Sequence, residues 1–230
     1  VRPARPALVI GALSALAGVT LIWWERATVH RPIYVSELGA RGMPSAVPFA
    51  VALILIAVGS VLIAAAGRHP TVRFPGLGRW SIAATLALSS VFFVVASQVS
   101  CTAGCPVPLT AGSSLQDLVH TVAAVLGFVA GCAAMLQVGL VRRRDAMTRI
   151  SAAACVAVAA VTITGGMLSI FRTASDVGGV LEFVGTTIAV VWLVCYGFWL
   201  AAMPHGSRST EVAEPMPAVY ERPEASNAIS

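Results

Sequence analysis

Residues 48–66 read PFAVALILIAVGSVLIAAA, an uncharged and almost wholly apolar run bounded by a proline on one side and Gly67-Arg68 on the other. A helix needs roughly 20 such residues to cross about 30 Å of hydrocarbon. Backbone N–H and C=O groups inside lipid must be satisfied internally, which leaves helices or a closed barrel. The run lacks the alternation of a barrel strand, so it reads as a transmembrane helix.

Five further stretches read the same way: Pro6 to Trp24, Trp80 to Val99, Leu115 to Val141, Ile150 to Phe171 and Val180 to Met203. Of 230 residues, 57% are hydrophobic and 11% charged, against about a quarter charged in soluble domains. The expected fold is therefore all-α: a polytopic bundle of six transmembrane helices over residues 1–203, with no soluble catalytic domain. Residues 204–230, rich in Pro, Ser and Glu, read as a disordered cytoplasmic tail.

The formal charge of +5 is carried by arginine alone, since the chain has no lysine. A nucleic-acid partner is not expected from it, because the arginines mark topology instead. Arg2, Arg5, Arg68, Arg73, Arg79, Arg142, Arg143, Arg144, Arg149, Arg208 and Arg222 fall in the N-terminus, the second and fourth connections and the tail. Basic residues near span ends stay on the cytoplasmic side, so both termini are expected inside, in the cell membrane of a bacterium. Arg2 and Arg5 before an apolar run also imitate a signal peptide. The run continues to Trp23 and Trp24, an interfacial pair, and a retained span is the preferred reading.

This orientation gives the outer face three connections, Glu25 to Val47, Ser100 to Ser114 and Arg172 to Gly179. They gather residues scattered in sequence: Ser36, Glu37, Arg41, Asp117, His120, Arg172, Asp176 and Glu182. Asp117 and His120 are three apart, on one helix face. Ionisable groups at span ends usually face a bundle interior or a wet cavity, often in pairs. The plainest reading pairs Glu37 or Asp117 with Arg41 or Arg172 and closes the loop onto the bundle, leaving a scaffold.

Three chemical readings compete with it. The arginines could fork onto a lipid phosphate or other polar ligand, making membrane lipids the expected partners. His120 could act as a base oriented by Asp117, with Ser36 as nucleophile of a hydrolase, although no GxSxG elbow is present. Carboxylates and histidine could hold zinc or manganese, but no dense ligand motif exists, and neither a metal nor another cofactor is assigned.

Cys101 and Cys105 lie in the second outer connection. A disulfide suits an oxidising compartment; free thiols and a soft-metal pair such as copper(I) are the other readings. Cys132, Cys155 and Cys195 fall in spans and read as small buried residues. His30, His69 and His205 read as solvated loop histidines. Gln98 and Gln137 read as hydrogen-bonding groups between helices. Gly11, Ser14, Ala15 and Gly18, and separately Gly127 and Gly131, form small-residue faces for close helix packing. Packing within one chain is the preferred use of these faces, and a homo-oligomer through them is the alternative.

The order span, Tyr34-Val35-Ser36-Glu37-Leu38-Gly39-Ala40, two spans, cysteine loop, Asp117-x-x-His120, two spans resembles the bacterial membrane family catalogued as domain-of-unknown-function family 998, over about residues 6–203. The resemblance implies about six spans and names no activity. A looser similarity is to Frag/DRAM/Sfk-type membrane proteins, through Pro32, Ser36, Glu37 and Gly39, and implies a link to lipid handling. Together these readings place a polar cluster under the first outer loop, with Tyr34 anchored at the interface, Gly39 and Gly42 turning the backbone, and Ser36 and Glu37 aimed at Asp117 and His120.

Overall fold

The computed structural model describes residues 5–69, 71–74, 78–141, 145–171 and 175–203, with only the backbone described at 71–74, 78–80 and 175. The tail, Arg142 to Arg144, Arg172 and His205 lie outside the described residues. The chain forms six helices, α1 Arg5–Thr28, α2 Ala46–Ala66, α3 Ile82–Gln98, α4 Leu115–Gly139, α5 Ala146–Ile170 and α6 Ser175–Ala202. Five are long and apolar enough to cross a membrane, and α3, at 17 residues, is the shorter one.

The shortfall in α3 comes from its start. Trp80 and Ser81, expected inside the span, belong instead to the second strand of a small antiparallel hairpin, β1 Thr71–Phe74 and β2 Gly78–Ser81, with Thr71 opposite Ser81. Ser81 then caps the helix: its Oγ accepts from the Ala84 N–H at 3.1 Å, satisfying one of the orphan donors of a first turn.

Each helix packs chiefly on its neighbours in chain order, and α6 returns to α1, so the six form a closed ring. The outward faces are apolar, with Ile10, Val91, Val129, Val156 and Ile163 all exposed. Such a belt would be costly in water and is what lipid requires.

Small residues set the closest contact. A Cβ on Gly11 would stand 2.8 Å from the Gly59 carbonyl oxygen, and one on Gly59 would stand 2.5 Å from that of Gly11. Only glycine allows this backbone approach, which replaces the missing hydrophobic drive with dispersion and short polar contacts. Ser14 adds one, donating to the Leu55 carbonyl at 2.7 Å. Gly127 and Gly131 face Phe93 and Ser89 of α3 within the same chain.

Alternation of the helices puts the α1–α2, α3–α4 and α5–α6 connections at one end, called here the head end. The first connection carries a short 3-10 turn, Ser36–Gly39. It is fastened to α2 by Ser45 Oγ, which donates to the Leu38 carbonyl at 2.8 Å, and to the cysteine loop by the Arg41 N–H, which donates to the Cys101 carbonyl at 2.9 Å. Gly42 turns the chain with φ +88°, a value that favours glycine. Gly39 has a different role: a Cβ there would stand 2.6 Å from the Phe49 ring, so it is small for packing.

Candidate functional site

Inside the ring, four helices point one face each at a common space. Phe49, Leu53, Ile56 and Ser60 of α2, Leu86, Ser89, Phe93 and Ala96 of α3, His120, Ala124, Phe128 and Met135 of α4, and Glu182, Thr186, Ala189 and Leu193 of α6 line it. The spacings of three and four are those of a single helix stripe. The space is a cavity of about 80 Å³, where one water needs about 10–15 Å³ on the same scale. Between Glu182 and Leu193 the helix rises about 16 Å, roughly half the depth of the hydrocarbon core.

The walls are apolar because their hydroxyls are already spent on backbone. Ser60 donates to the Leu86 carbonyl at 3.2 Å, Ser89 to that of Gly127 at 2.8 Å and Thr186 to that of Glu182 at 2.8 Å. Polarity is concentrated at the head end, where Ser36, His120 and Glu182 meet the cavity.

Glu182 holds the first connection from below. Its Oε2 accepts from the Val35 N–H at 3.0 Å, and the N–H and hydroxyl of Ser36 also face the carboxylate. The approach depends on two glycines at the start of α6: a Cβ on Gly179 would stand 2.5 Å from the Ile33 carbonyl oxygen, and one on Gly178 would stand 3.1 Å from the Tyr34 hydroxyl. Tyr34 thus packs on α6, and the loop becomes the roof of the cavity.

His120 is buried, and its Nδ1 lies 3.0 Å from the Ala96 carbonyl oxygen and 2.8 Å from that of Val99. Both oxygens can only accept, so Nδ1 carries the proton and the lone pair sits on Nε2. The ring closes the C-terminus of α3 while keeping one nitrogen basic. Among the described residues no hydrogen bond engages Nε2.

Asp117, one turn earlier, is committed elsewhere. It accepts from the N–H and Oγ of Ser114 at 2.7 and 2.6 Å, and from the N–H and Oγ1 of Thr102 at 2.7 and 3.0 Å. Ser114 and Asp117 form a capping box on α4, which Thr102 extends to the cysteine loop. With four donors satisfied, Asp117 neither orients His120 nor meets a ligand. The Ser36–His120–Asp117 hydrolase arrangement expected from sequence is therefore not assembled.

The expected ion pairs are also redistributed. Glu37 turns to Arg31 at 2.5 Å, while the Arg41 side chain is exposed. Arg31 lies six residues before Glu37 on the same loop and meets it there, and the pairing with Arg41 is not made. Glu37 accordingly does not aim at Asp117 and His120; Ser36 alone of that pair lines the cavity. Asp176 is exposed on the first turn of α6, and Arg172 lies outside the described residues.

Cys101 and Cys105 are bridged, with Cα atoms 5.2 Å apart. In the spans, Cys155 Sγ lies 3.4 Å from the Cys132 carbonyl oxygen, and Cys195 is exposed on the outer surface of α6. Gln98 donates to Ser97, whereas Gln137 is buried with Oε1 unpartnered among the described residues.

One functional-looking group at the opposite end escaped the sequence reading. His69 is not a solvated loop histidine. Its Nε2 lies 3.1 Å from the carbonyl oxygens of both Ile63 and Ala64, and its Nδ1 accepts from the Tyr196 hydroxyl at 2.8 Å. Tyr196 is fully buried and stacks on Trp192 and Trp199 with centroids 5.2 and 5.8 Å away. Burial lowers the His69 pKa from its ordinary 6.5, against the two carbonyl contacts, which raise it. The partners are 127 residues apart in sequence, so no local pattern announces the pair.

No curated protein and no solved structure matches the chain. The looser likeness to Frag/DRAM/Sfk-type proteins gains no support. A family model does match, over residues 9–199 and hence nearly the whole ring of helices, and the chain belongs to the family it describes, the protein of unknown function family DUF998.

Proposed function

We propose that the protein binds an amphiphile in the outer leaflet, taking one slender hydrocarbon chain into the ring and holding a hydroxyl- or amine-bearing head at Ser36, His120 and Glu182. The observation that carries this is the amphipathic cavity itself: apolar walls over about 16 Å, and a carboxylate, a basic imidazole nitrogen and a hydroxyl gathered at one end. Ligand sites are commonly apolar pockets with a few convergent polar groups. An ionisable residue kept inside a bundle is a functional-site signature.

The head group follows from charge. Among the described residues lining that end, none is a cation, and Arg31 is engaged by Glu37. A phosphate would face the Glu182 carboxylate without compensation. An alcohol can donate to Glu182 and to the His120 lone pair, and an amine can pair with the carboxylate. The distribution of arginines supports an outer-side position for this end, in a bacterial inner membrane. Binding fits better than hydrolysis because Asp117 is spent on its cap.

The test uses the full chain in nanodiscs with dodecanol, dodecylamine and dodecyl phosphate, which share a tail and differ in head. Dodecanol or dodecylamine should raise the unfolding free energy by about 2.7 kcal/mol at 100-fold excess over Kd, and the phosphate should do markedly less. A cavity-filling variant, Ala124→Phe with Ala189→Phe, should lose the response. Equal responses to all three heads, or an undiminished response in the filled variant, would overturn the proposal.

A further inference from the structure

We propose that the cysteine loop, once reduced, forms with His120 a three-donor site for copper(I). Sγ of Cys101, Sγ of Cys105 and a ring nitrogen of His120 all lie within 4.8 Å of one another. Two sulfurs on opposite sides of one ion are at most about 4.6 Å apart, so freed side chains reach a shared ion by small rotations. The three donors come from two elements that the fold has already brought together.

The histidine is prepared for this role. Metal-binding histidines usually donate their other ring N–H to a carbonyl or carboxylate, which fixes the tautomer and the ring. His120 does so at Ala96 and Val99, which fixes the ring and leaves one of its nitrogens with a lone pair. The loop is also held by bonds that do not depend on the disulfide. Thr102 donates to Asp117 through its N–H and hydroxyl, and the Cys101 carbonyl accepts from the Arg41 N–H. Reduction therefore leaves Cys101 in place beside His120.

Donor chemistry chooses the ion. Two thiolates and an imidazole form a soft set, and structural zinc asks for four tetrahedral donors. The cluster offers three among the described residues, a number that suits copper(I). Cys101 is buried and Cys105 is partly exposed, which gives a reductant and then the ion a side from which to approach.

The bridged form is a poor ligand, because a disulfide sulfur carries no thiolate charge. Two equivalents of a small thiol reduce it, breaking the Cys101–Cys105 bond, forming the thiol's own disulfide and leaving two protonated cysteines. Binding of one copper(I) then releases two protons. A small-molecule disulfide reverses this: the two thiolates reduce it to two thiols with uptake of two protons, the Cys101–Cys105 bond re-forms and the ion leaves, so copper capacity follows the balance of thiol and disulfide around the loop.

The experiment uses the full chain in detergent, carrying Cys132→Ala, Cys155→Ala and Cys195→Ala so that other thiols do not compete. It is reduced with a phosphine, desalted anaerobically and titrated with copper(I) against bathocuproine disulfonate. One copper(I) per chain is expected, with none bound before reduction. Affinity should fall at least about tenfold in His120→Ala and largely vanish in Cys105→Ser, which alters the partly exposed partner. Retained dodecanol binding by Cys105→Ser reports folding; His120 is shared by the two sites, and the cysteines alone distinguish them. No copper uptake by the reduced chain, equal uptake by the oxidised chain, or unchanged affinity in either variant would overturn the proposal.

Discussion

His69 and His120 do the same local work at opposite ends of the bundle. Each places one ring nitrogen on the last carbonyls of a helix, Ile63 and Ala64 of α2 in one case, Ala96 and Val99 beside the end of α3 in the other. They differ in what the second nitrogen meets. That of His69 accepts from Tyr196, inside an aromatic stack. The His120 ring instead lines a cavity shared with Ser36 and Glu182, and among the described residues no hydrogen bond engages its second nitrogen. The same capping device is sealed at one end and left open at the other. Burial and hydrogen bonding of a histidine thus do not distinguish structure from function; the fate of its second nitrogen does.

The largest effects should come from breaking the sealed end. His69→Ala leaves the buried Tyr196 hydroxyl without an acceptor and takes the imidazole donor from Ala64, while Ile63 keeps the Gly67 N–H; a loss of about 3 kcal/mol is expected, with dodecanol binding unaffected in the folded fraction. Adding Tyr196→Phe should recover part of that loss, since the orphaned hydroxyl goes too, and a double-mutant cycle in denaturant titrations measures the coupling. His120→Ala should show the opposite pattern, a smaller stability loss of about 1 kcal/mol and loss of amphiphile binding. Equal stability losses in both, with binding intact, would erase the contrast.

Two glycines sharpen it further. Gly179→Ala drives a Cβ to 2.5 Å from the Ile33 carbonyl oxygen, a rigid backbone contact, so the roof must lift; about 2 kcal/mol is expected, together with weaker dodecanol binding. Gly67→Ala puts a Cβ 2.6 Å from the His69 ring and 2.8 Å from the Ile63 carbonyl oxygen, so the ring must give up its Tyr196 contact; about 2 kcal/mol is expected, with binding unchanged. Thermal melts with and without dodecanol separate the two.

Much of this architecture follows from local pattern. The six spans are readable because lipid demands long uncharged runs, but helical hydrogen bonding carries on past the apolar stretch, to Thr28 in α1 and from Ala146 and Ser175 in α5 and α6, while Ser81 shortens α3. Gathering of Ser36, His120 and Glu182 at one end follows from alternating topology. Side-chain commitments do not follow in the same way. Asp117 looks like a partner of His120 on spacing alone, yet Ser114-x-x-Asp117 is also the spacing of a capping box, and the nearer donors win. Glu37 takes Arg31, six residues away on its own loop, while Arg41, nearer in sequence, is exposed; spacing does not choose between them. The His69–Tyr196 bond depends on the ring closing, which no window of sequence contains.

The smallest expected effect is a pH dependence at the sealed end. Burial lowers the His69 pKa below 6.5 in the folded chain, more strongly than the Ile63 and Ala64 carbonyls raise it. Above pH 6.5 the ring is neutral in folded and unfolded chains alike and contributes no slope. As pH falls through that value the unfolded chain takes up a proton that the folded chain resists, so the unfolded state binds more protons and stability declines. The slope cannot exceed about 1.4 kcal/mol per pH unit for one group, and it levels off once pH passes the lowered folded value. Protonation would also place a hydrogen on the nitrogen that now accepts from Tyr196, removing that bond. Melts between pH 8 and pH 5 should therefore show a decline in the wild type that is shallower in His69→Gln, whose amide can still donate to the carbonyls. Coincident profiles would mean that His69 titrates as a solvated residue, and the sealed end would lose its distinction from the open one.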